Sequence, residues 1–471
     1  MKRILFFGTA LLLGAAAFAL AQPSQFALVH GTVINPADDR TTSDATVLIE
    51  GDKIVALGSP NETKITRDVR QIDCTGKFIL PGYIDTHVHF FQSADLFTRP
   101  DVIDLTSVRP YKDEVAWIKT HLDDTFARYL RSGITSVIDV GGPMWNFEVR
   151  QKADATAQAP RVAVAGPLIS SVARPQLDLG DPPIVKIDTP AQGRDFVRKL
   201  APEKPDYIKI WYIVSPAKPA ASFRPVVHAV IEESHAHKLR VAVHATELEA
   251  ARAAVEEGAD LLVHSVTDKP VDADFVRLMK EHGTMLTPTL VVFERYGRTF
   301  ANKLVLTPEE EAWGNPEVIA TLDVTQLPAD KVPDRIKLAR EEPEEVLNRI
   351  RSTYDIALKN LKTLEDAGIP IAAGTDAGNI GTIPGPALFR EFQLMKKAGL
   401  TNEEILRSAT ATAAKAFGGE TGRKIGSLVP GNFADLVILN SNPLEDIAHA
   451  ADIQSVIKGG VVYPANSLLP K

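Results

Sequence analysis

Beyond its first twenty or so residues the chain opens on short runs of strand-like text, such as Thr46-Val47-Leu48-Ile49-Glu50 and Lys53-Ile54-Val55-Ala56-Leu57, with Gly51-Asp52 between them as a hairpin turn. Similar strands return at the far end, in Asp435-Leu436-Val437-Ile438-Leu439 and from Ile453 to Tyr463, the latter broken at Gly459-Gly460. Neither end has enough strands for a stable sheet alone. The pattern therefore predicts one small β-sandwich domain assembled from residues 22–79 and 423–471, with residues 80–422 inserted between its halves.

The insertion has a different rhythm. Apolar runs of strand length alternate with helical text, the pattern of parallel βαβ units. Candidate strands end near His89, Asp139, Gly166, Tyr212, His244, His264, Thr287 and Asp376. Eight such strands predict an α/β domain in the form of a closed (β/α)₈ TIM barrel. Segments like Leu248 to Gly258, alanine-rich and closed by glycine, serve as its outer helices. The connection from Thr289 to Ile369 runs to about eighty residues, rich in charge and proline. Glu344 to Asp366 reads as the outer helix before the last strand. The stretch around 295–342 reads either as a lid over the barrel mouth or as a solvated helical excursion.

Composition narrows the partners rather than the fold. Of 471 residues 45% are hydrophobic and 24% charged, as in ordinary globular proteins, and the net charge of -8 without any basic block excludes a nucleic-acid partner. Lys2 and Arg3, an apolar run from Ile4 to Leu20 and Ala19-Leu20-Ala21 before Gln22 read as a cleavable signal peptide over residues 1–21. The expectation is an exported protein, periplasmic or secreted, with no membrane anchor after cleavage. The single cysteine, Cys74, excludes an intrachain disulfide and reads as a small core residue. A monomer and a symmetric oligomer suit this composition equally.

The chemistry gathers at strand ends. Phe78-Ile79-Leu80-Pro81-Gly82-Tyr83-Ile84-Asp85-Thr86-His87-Val88-His89 is an apolar run ending in two histidines at i and i+2, which an extended strand sets on one face about 7 Å apart. Lys209 lies near the end of the fourth candidate strand, His244 and His264 end the fifth and sixth, and Asp376 follows the eighth in Gly374-Thr375-Asp376. Barrel strands open at these ends onto the mouth where sites are built, and neutral imidazole is the commonest metal ligand. Lys209, flanked by Ile208 and Ile210, points inward if those two pack on the outer helices. An ammonium beside bound cations must shed its charge, either as a neutral amine or as a carbamate formed with CO₂.

These residues, together with the tail Gly426-Ser427-Leu428-Val429-Pro430-Gly431-Asn432-Phe433-Ala434-Asp435-Leu436-Val437, resemble the amidohydrolase superfamily in its binuclear, carboxylated-lysine form, nearest to prolidase-like and imidazolonepropionase-related members. The resemblance spans essentially the whole mature chain. It implies that His87, His89 and Asp376 hold one divalent metal, that His244 and His264 hold a second, and that Lys209, carboxylated on its amine by CO₂, bridges the two with a water-derived hydroxide. Zinc is the default metal for such nitrogen-rich ligands, with manganese, cobalt and iron as alternatives. Asp376 is then the natural proton shuttle, and Lys209 and Asp376 are the catalytic pair.

The implied reaction is hydrolysis of an amide bond in a small molecule, such as a dipeptide, Xaa-Pro among them, or an N-acyl amino acid. Arg174 could hold a substrate carboxylate or lie solvated on a loop; Tyr212, just beyond Lys209, could reach the substrate or simply pack. Two other readings stand beside this one. His244-Ala245-Thr246-Glu247 resembles the His-x-x-Glu of mononuclear deaminases and cyclic-amide hydrolases, in which Glu247 would be the acid and base. A barrel that has lost its chemistry would be an exported binding protein.

Overall fold

The computed structural model describes residues 25–469; the expected signal peptide lies outside the described residues. Strands β1 (Gln25–Asn35), β2 (Arg40–Glu50), β3 (Lys53–Gly58), β4 (Arg70–Asp73) and β5 (Phe78–Pro81) come from the front of the chain. They join β15 (Leu436–Leu439), β16 (Ile453–Lys458) and β17 (Val461–Pro464) from its end in one eight-stranded sheet, ordered β17-β16-β15-β5-β1-β2-β3 with β4 beside β1. The two ends do build one β-unit, but as a continuous sheet where a sandwich of two was expected. The sheet curls so that Lys53, at the start of β3, bridges Phe433 just ahead of β15. Leu28, Val47, Ile54, Ile79, Leu436 and Ile457 fill the space thus enclosed, and Cys74 is buried among them with its thiol pushed up to about 11 by burial. An unreactive packing role for Cys74 follows.

The middle of the chain supplies β6 (Tyr83–Val88), β7 (Ile134–Asp139), β8 (Arg161–Val164), β9 (Leu168–Ser170), β10 (Ile184–Lys186), β11 (Tyr207–Trp211), β12 (Arg240–His244), β13 (Leu261–Val263) and β14 (Met285–Thr287). All pair in parallel, as β6-β7-β8 and as β10-β9-β11-β12-β13-β14. The eight-stranded barrel is thus met in part, with two sheets in place of a closed ring. At one seam the third candidate strand breaks at Gly166, in the left-handed region at φ +74°, and restarts as β9. There Asp206 answers β8 with its side chain, accepting the Val164 N–H at 2.8 Å, while its own N–H donates to the Val164 carbonyl.

At the other seam residues 369–377 run between β14 and β6 without forming a regular ladder. Leu286 N donates to the Pro370 carbonyl, Ala372 N to Leu286, Thr86 N to Ala373 and His89 N to Ala377. Pro370 has no N–H to give, which thins the pairing. Gly374 is required here, since a Cβ at that position would stand 2.5 Å from the Thr287 side chain and 2.9 Å from the His87 nitrogen.

The long connection is ordered. Helices Val292–Phe300, Pro308–Trp313, Pro316–Thr321 and Asp334–Glu341 precede the 24-residue outer helix Pro343–Asp366, which falls where it was expected. Phe300, Val318, Leu322 and Ile336 from this connection pack with Ala94, Leu96, Ile103 and Leu105, from the loop after β6, in a hydrophobic cluster of their own. A fully buried ion pair, Arg295 to Glu310 at 2.7 Å, ties the first two helices together. The connection and the β6 loop therefore form one capping segment rather than a solvated excursion. No helix among the described residues is long and apolar enough to cross a membrane.

Candidate metal centre and substrate cavity

Beneath the site lies a layer of inward side chains, Ile84, Ile138, Ala163, Tyr207, Ala242, Leu261 and Ala372. Tyr207 shares a face of β11 with Lys209 and Trp211, whereas Ile208 and Ile210 lie in the outer core. Alternation therefore carries the Lys209 amine inward. In β6, strict alternation from Ile84 would turn His87 away. Three residue steps of β6, Asp85 to Val88, are matched to two of β7, Val137 to Asp139, and this bulge brings both histidines round.

His87, His89, Lys209, His244, His264 and Asp376 all line one cavity of about 490 Å³. His87 Nε2 and His89 Nε2 stand 3.3 Å apart, and Asp376 Oδ1 lies 3.3 Å from the first and 3.1 Å from the second. These three atoms form a group that could hold a metal ion. Ligand atoms about 2.0–2.1 Å from a tetrahedral ion are separated from one another by about 3.3 Å, the spacing seen here. Burial holds the His87 imidazole neutral, lowered to about 3 against the pull of Asp376. Burial would raise the Asp376 carboxyl, yet His87 and His89 hold it well below the usual range. Such packing of lone pairs favours a cation among them.

The supporting contacts aim the rings. His89 Nδ1 donates to the Gly141 carbonyl at 2.6 Å and His264 Nδ1 meets Thr289 Oγ1 at 2.6 Å, which leaves each Nε2 lone pair for the cavity. His264 lies between its neighbours, its ring centre 4.4 Å from that of His244 in an edge-on contact and 4.9 Å from that of His87 in a tilted one. His264 (φ +76°), Thr289 (φ +45°) and Asp376 (φ +63°) all adopt left-handed backbone, a strain of about 1–3 kcal/mol each when paid outside glycine. Lys209 is 1% exposed, its Nζ has no hydrogen-bond partner, and burial lowers its pKa to about 7 although Asp376 pulls the other way. That orphaned amine suits either of the uncharged or carboxylated forms anticipated for it.

Two residues escaped the sequence. Asp85, fully buried, accepts the His87 N–H at 3.2 Å, the Thr375 N–H at 3.0 Å and the Thr375 hydroxyl at 2.6 Å, and so locks β6 to the Asp376 turn. Asn379 accepts from Arg99 Nη1 at 2.6 Å and from the Tyr296 hydroxyl, and donates to the Asp376 carbonyl at 3.2 Å. A buried aspartate inside an apolar strand was the available signal for Asp85; Asn379 carried none.

Of the two readings of Tyr212, the structure places it in packing: just beyond β11 it is fully buried, packs on Phe223, donates to the Ala220 carbonyl at 2.5 Å and is absent from the cavity lining, so the substrate contact is not met. Arg174 does line the cavity, 3.3 Å from Asp101 and over the Trp211 ring. Glu247 lies beside the cavity rather than among the side chains lining it, and accepts from the Thr246 hydroxyl at 3.1 Å. His235 and His237 pair with Asp260 and Glu233 on the surface, as their helical text implied.

The chain is similar to several known proteins. Ochratoxinase of Aspergillus niger is 24% identical over 96% of this chain and 89% of its own length. Imidazolonepropionase of Geobacillus kaustophilus is 38% identical over 21% of this chain and 24% of its own. A crystal structure of a Xaa-Pro dipeptidase with bound methionine in its active site superposes with a TM-score of 0.69 at 22% identity, covering 94% of this chain and all of that one. The sequence profile of the Amidohydrolase family matches residues 78–463, from β5 through to β17, and the chain belongs to that family of amide-bond hydrolases.

Proposed function

We propose that the protein is an exported, metal-dependent hydrolase that cleaves an amide bond in a small, carboxylate-bearing molecule, a dipeptide or an N-acyl amino acid. The observation carrying the proposal is the group His87, His89 and Asp376, at 3.1–3.3 Å from one another, sharing a cavity with His244, His264 and an unpartnered, buried Lys209. On this reading the two parallel sheets and residues 369–377 act as one (β/α)₈ barrel with these residues at its mouth. His87, His89 and Asp376 would hold one divalent ion, zinc by default, His244 and His264 would hold a second, and a carboxylated Lys209 would add oxygen ligands beside them.

Bound divalent ions supply Lewis acidity to the scissile carbonyl and acidify the attacking water. The residues do the rest. His89 and His264 are fixed in orientation by Gly141 and Thr289, so their Nε2 atoms need little reorganisation. Asp376 takes up the proton of the attacking water and returns it to the leaving amine, from a turn held by Asp85 and Asn379. Arg174 stands at the cavity wall, its Nε 3.3 Å from Asp101 and its guanidinium over the Trp211 ring.

The test is to purify the chain from Gln22 onward in bicarbonate without chelator, count metals per chain, and assay Lys209→Ala and Asp376→Ala on dipeptides and N-acyl amino acids. Two metals and loss of most turnover in both variants are expected. One metal with an inactive Glu247→Ala variant would replace this mechanism with the mononuclear one. Export is read separately, as a mature amino terminus at Gln22 by mass spectrometry.

A further inference from the structure

Outside the metal-competent group, the charged side chains on the cavity are Arg99, Arg174, Arg335, Asp101 and Lys209. They are not equivalent. Arg99 grips Asp101 with both ends of its fork, at 2.7 and 2.8 Å, and spends its remaining amine on Asn379 and the Tyr296 hydroxyl. Asp101 is almost wholly buried, its side chain 1% exposed, and Arg174 claims it too. Arg99 and Asp101 are therefore a wall of the cavity, with no donor or acceptor left for a ligand.

Arg335 is different. It sits in helix Asp334–Glu341 of the capping segment, whose Ile336 is buried in the segment's own core, and is exposed. Its one hydrogen bond runs from Nη1 to the Val102 carbonyl at 2.9 Å, and the guanidinium lies over the Phe300 ring at 5.1 Å. Among the described residues no carboxylate pairs with it within salt-bridge distance, so Nε and Nη2 are free to receive an anion. Phe91, Trp211, Val292 and Phe293 give the lining apolar surface, and the polar Gln92, Thr246 and Asn379 on it are uncharged. Nothing on it can neutralise an ammonium, because the single carboxylate beyond Asp376 is already shared by two arginines.

We propose that the substrate is an N-acylated amino acid, uncharged on the acyl side of the scissile amide, whose free carboxylate is received by Arg335 of the capping segment. The inference rests on the amide-hydrolase reading given above. A free dipeptide would place its α-ammonium in a cavity with three guanidinium groups and no carboxylate free to neutralise it beyond the metal-competent group, a like-charge arrangement that opposes binding. The capping segment is then the part of the molecule that selects substrate, and Arg335 is its specificity-determining residue.

Three compounds on one skeleton separate the claims: phenylalanyl-phenylalanine, its des-amino analogue hydrocinnamoyl-phenylalanine, and hydrocinnamoyl-phenethylamine, which lacks the carboxylate as well. Kd by calorimetry and kcat/KM are measured for each on the metal-loaded protein and on Arg335→Gln. The des-amino acid is expected to lead the other two by about 10-fold, the scale of one charge-assisted hydrogen bond at a partly exposed site. Arg335→Gln should collapse the ratio between acid and decarboxylated compound to about one, acting on KM rather than kcat. Preference for the dipeptide, absence of binding by all three, or an equal loss across the three in Arg335→Gln overturns the proposal. Binding in the expected order without turnover of any compound sustains the Arg335 assignment and instead overturns the hydrolase reading.

Discussion

Replacing Asp85 tests how the metal-competent group is held. Its Oδ1 accepts the N–H groups of His87 and Thr375 and its Oδ2 accepts the Thr375 hydroxyl, all without access to solvent. Asp85→Ala orphans three buried donors. At about 1–3 kcal/mol for each buried group left unpaired, and with partial relaxation, the loss is about 3–6 kcal/mol. Asp85→Asn keeps the shape and one oxygen for the two N–H donors, and the Thr375 hydroxyl can turn to accept from the new amide. That exchange should cost about 1 kcal/mol, yet loosen the metal by about 10-fold, the scale on which groups behind a ligand act.

Urea unfolding of both variants gives the stability terms, and metal retention during dialysis against graded chelator gives the affinity. A cycle with Thr375→Val isolates the shared bond, with an expected coupling of about 1 kcal/mol or more. If Asp85→Ala unfolds within about 1 kcal/mol of the parent, the hydrogen bonds of Asp85 do not hold the Asp376 turn.

Other outcomes follow from the same geometry. Thr289→Val keeps a branched side chain at φ +45° but removes the hydroxyl that orients His264, so metal retention should fall by about 10-fold with little change in melting temperature; unchanged retention would refute the orienting role. Tyr212→Phe should cost about 1 kcal/mol of stability, from the lost bond to the Ala220 carbonyl, and leave KM alone; a raised KM would return Tyr212 to the substrate side. With the Lys209 amine lowered to about 7, its reactive neutral form grows from about a tenth at pH 6 to about nine tenths at pH 8. Activation of metal-stripped protein by bicarbonate and metal should therefore accelerate across that window and level off above it, and a flat profile would argue against carboxylation of Lys209.

The sequence by itself determined the chemistry-bearing set and the order of the fold. His87-Val88-His89, Lys209, His244, His264 and Gly374-Thr375-Asp376 each end a strand-like run, and strand period fixes which side chains can share a face. The same period assigned Tyr212 to the face of Ile208 and Ile210, so its packing role was legible, but nearness to Lys209 in the chain obscured it. The two chain ends had too few strands to stand apart, which made their union in one β-unit inevitable.

What only the tertiary structure decided is long-range. The bulge that turns His87 inward depends on how β6 registers against β7, and register is a property of two strands. Asp85 and Asn379 act on Asp376 across 290 residues in one case and a turn in the other, through bonds no local pattern encodes. The capping segment has charge and proline but no periodicity that says where it docks; its apolar residues find the β6 loop only because burying them together removes both from water. That docking leaves Arg335 without a carboxylate partner at the cavity while Arg99 is consumed by Asp101 and Arg174 is paired with it through Nε, a distinction between three arginines that only their neighbours in space could draw.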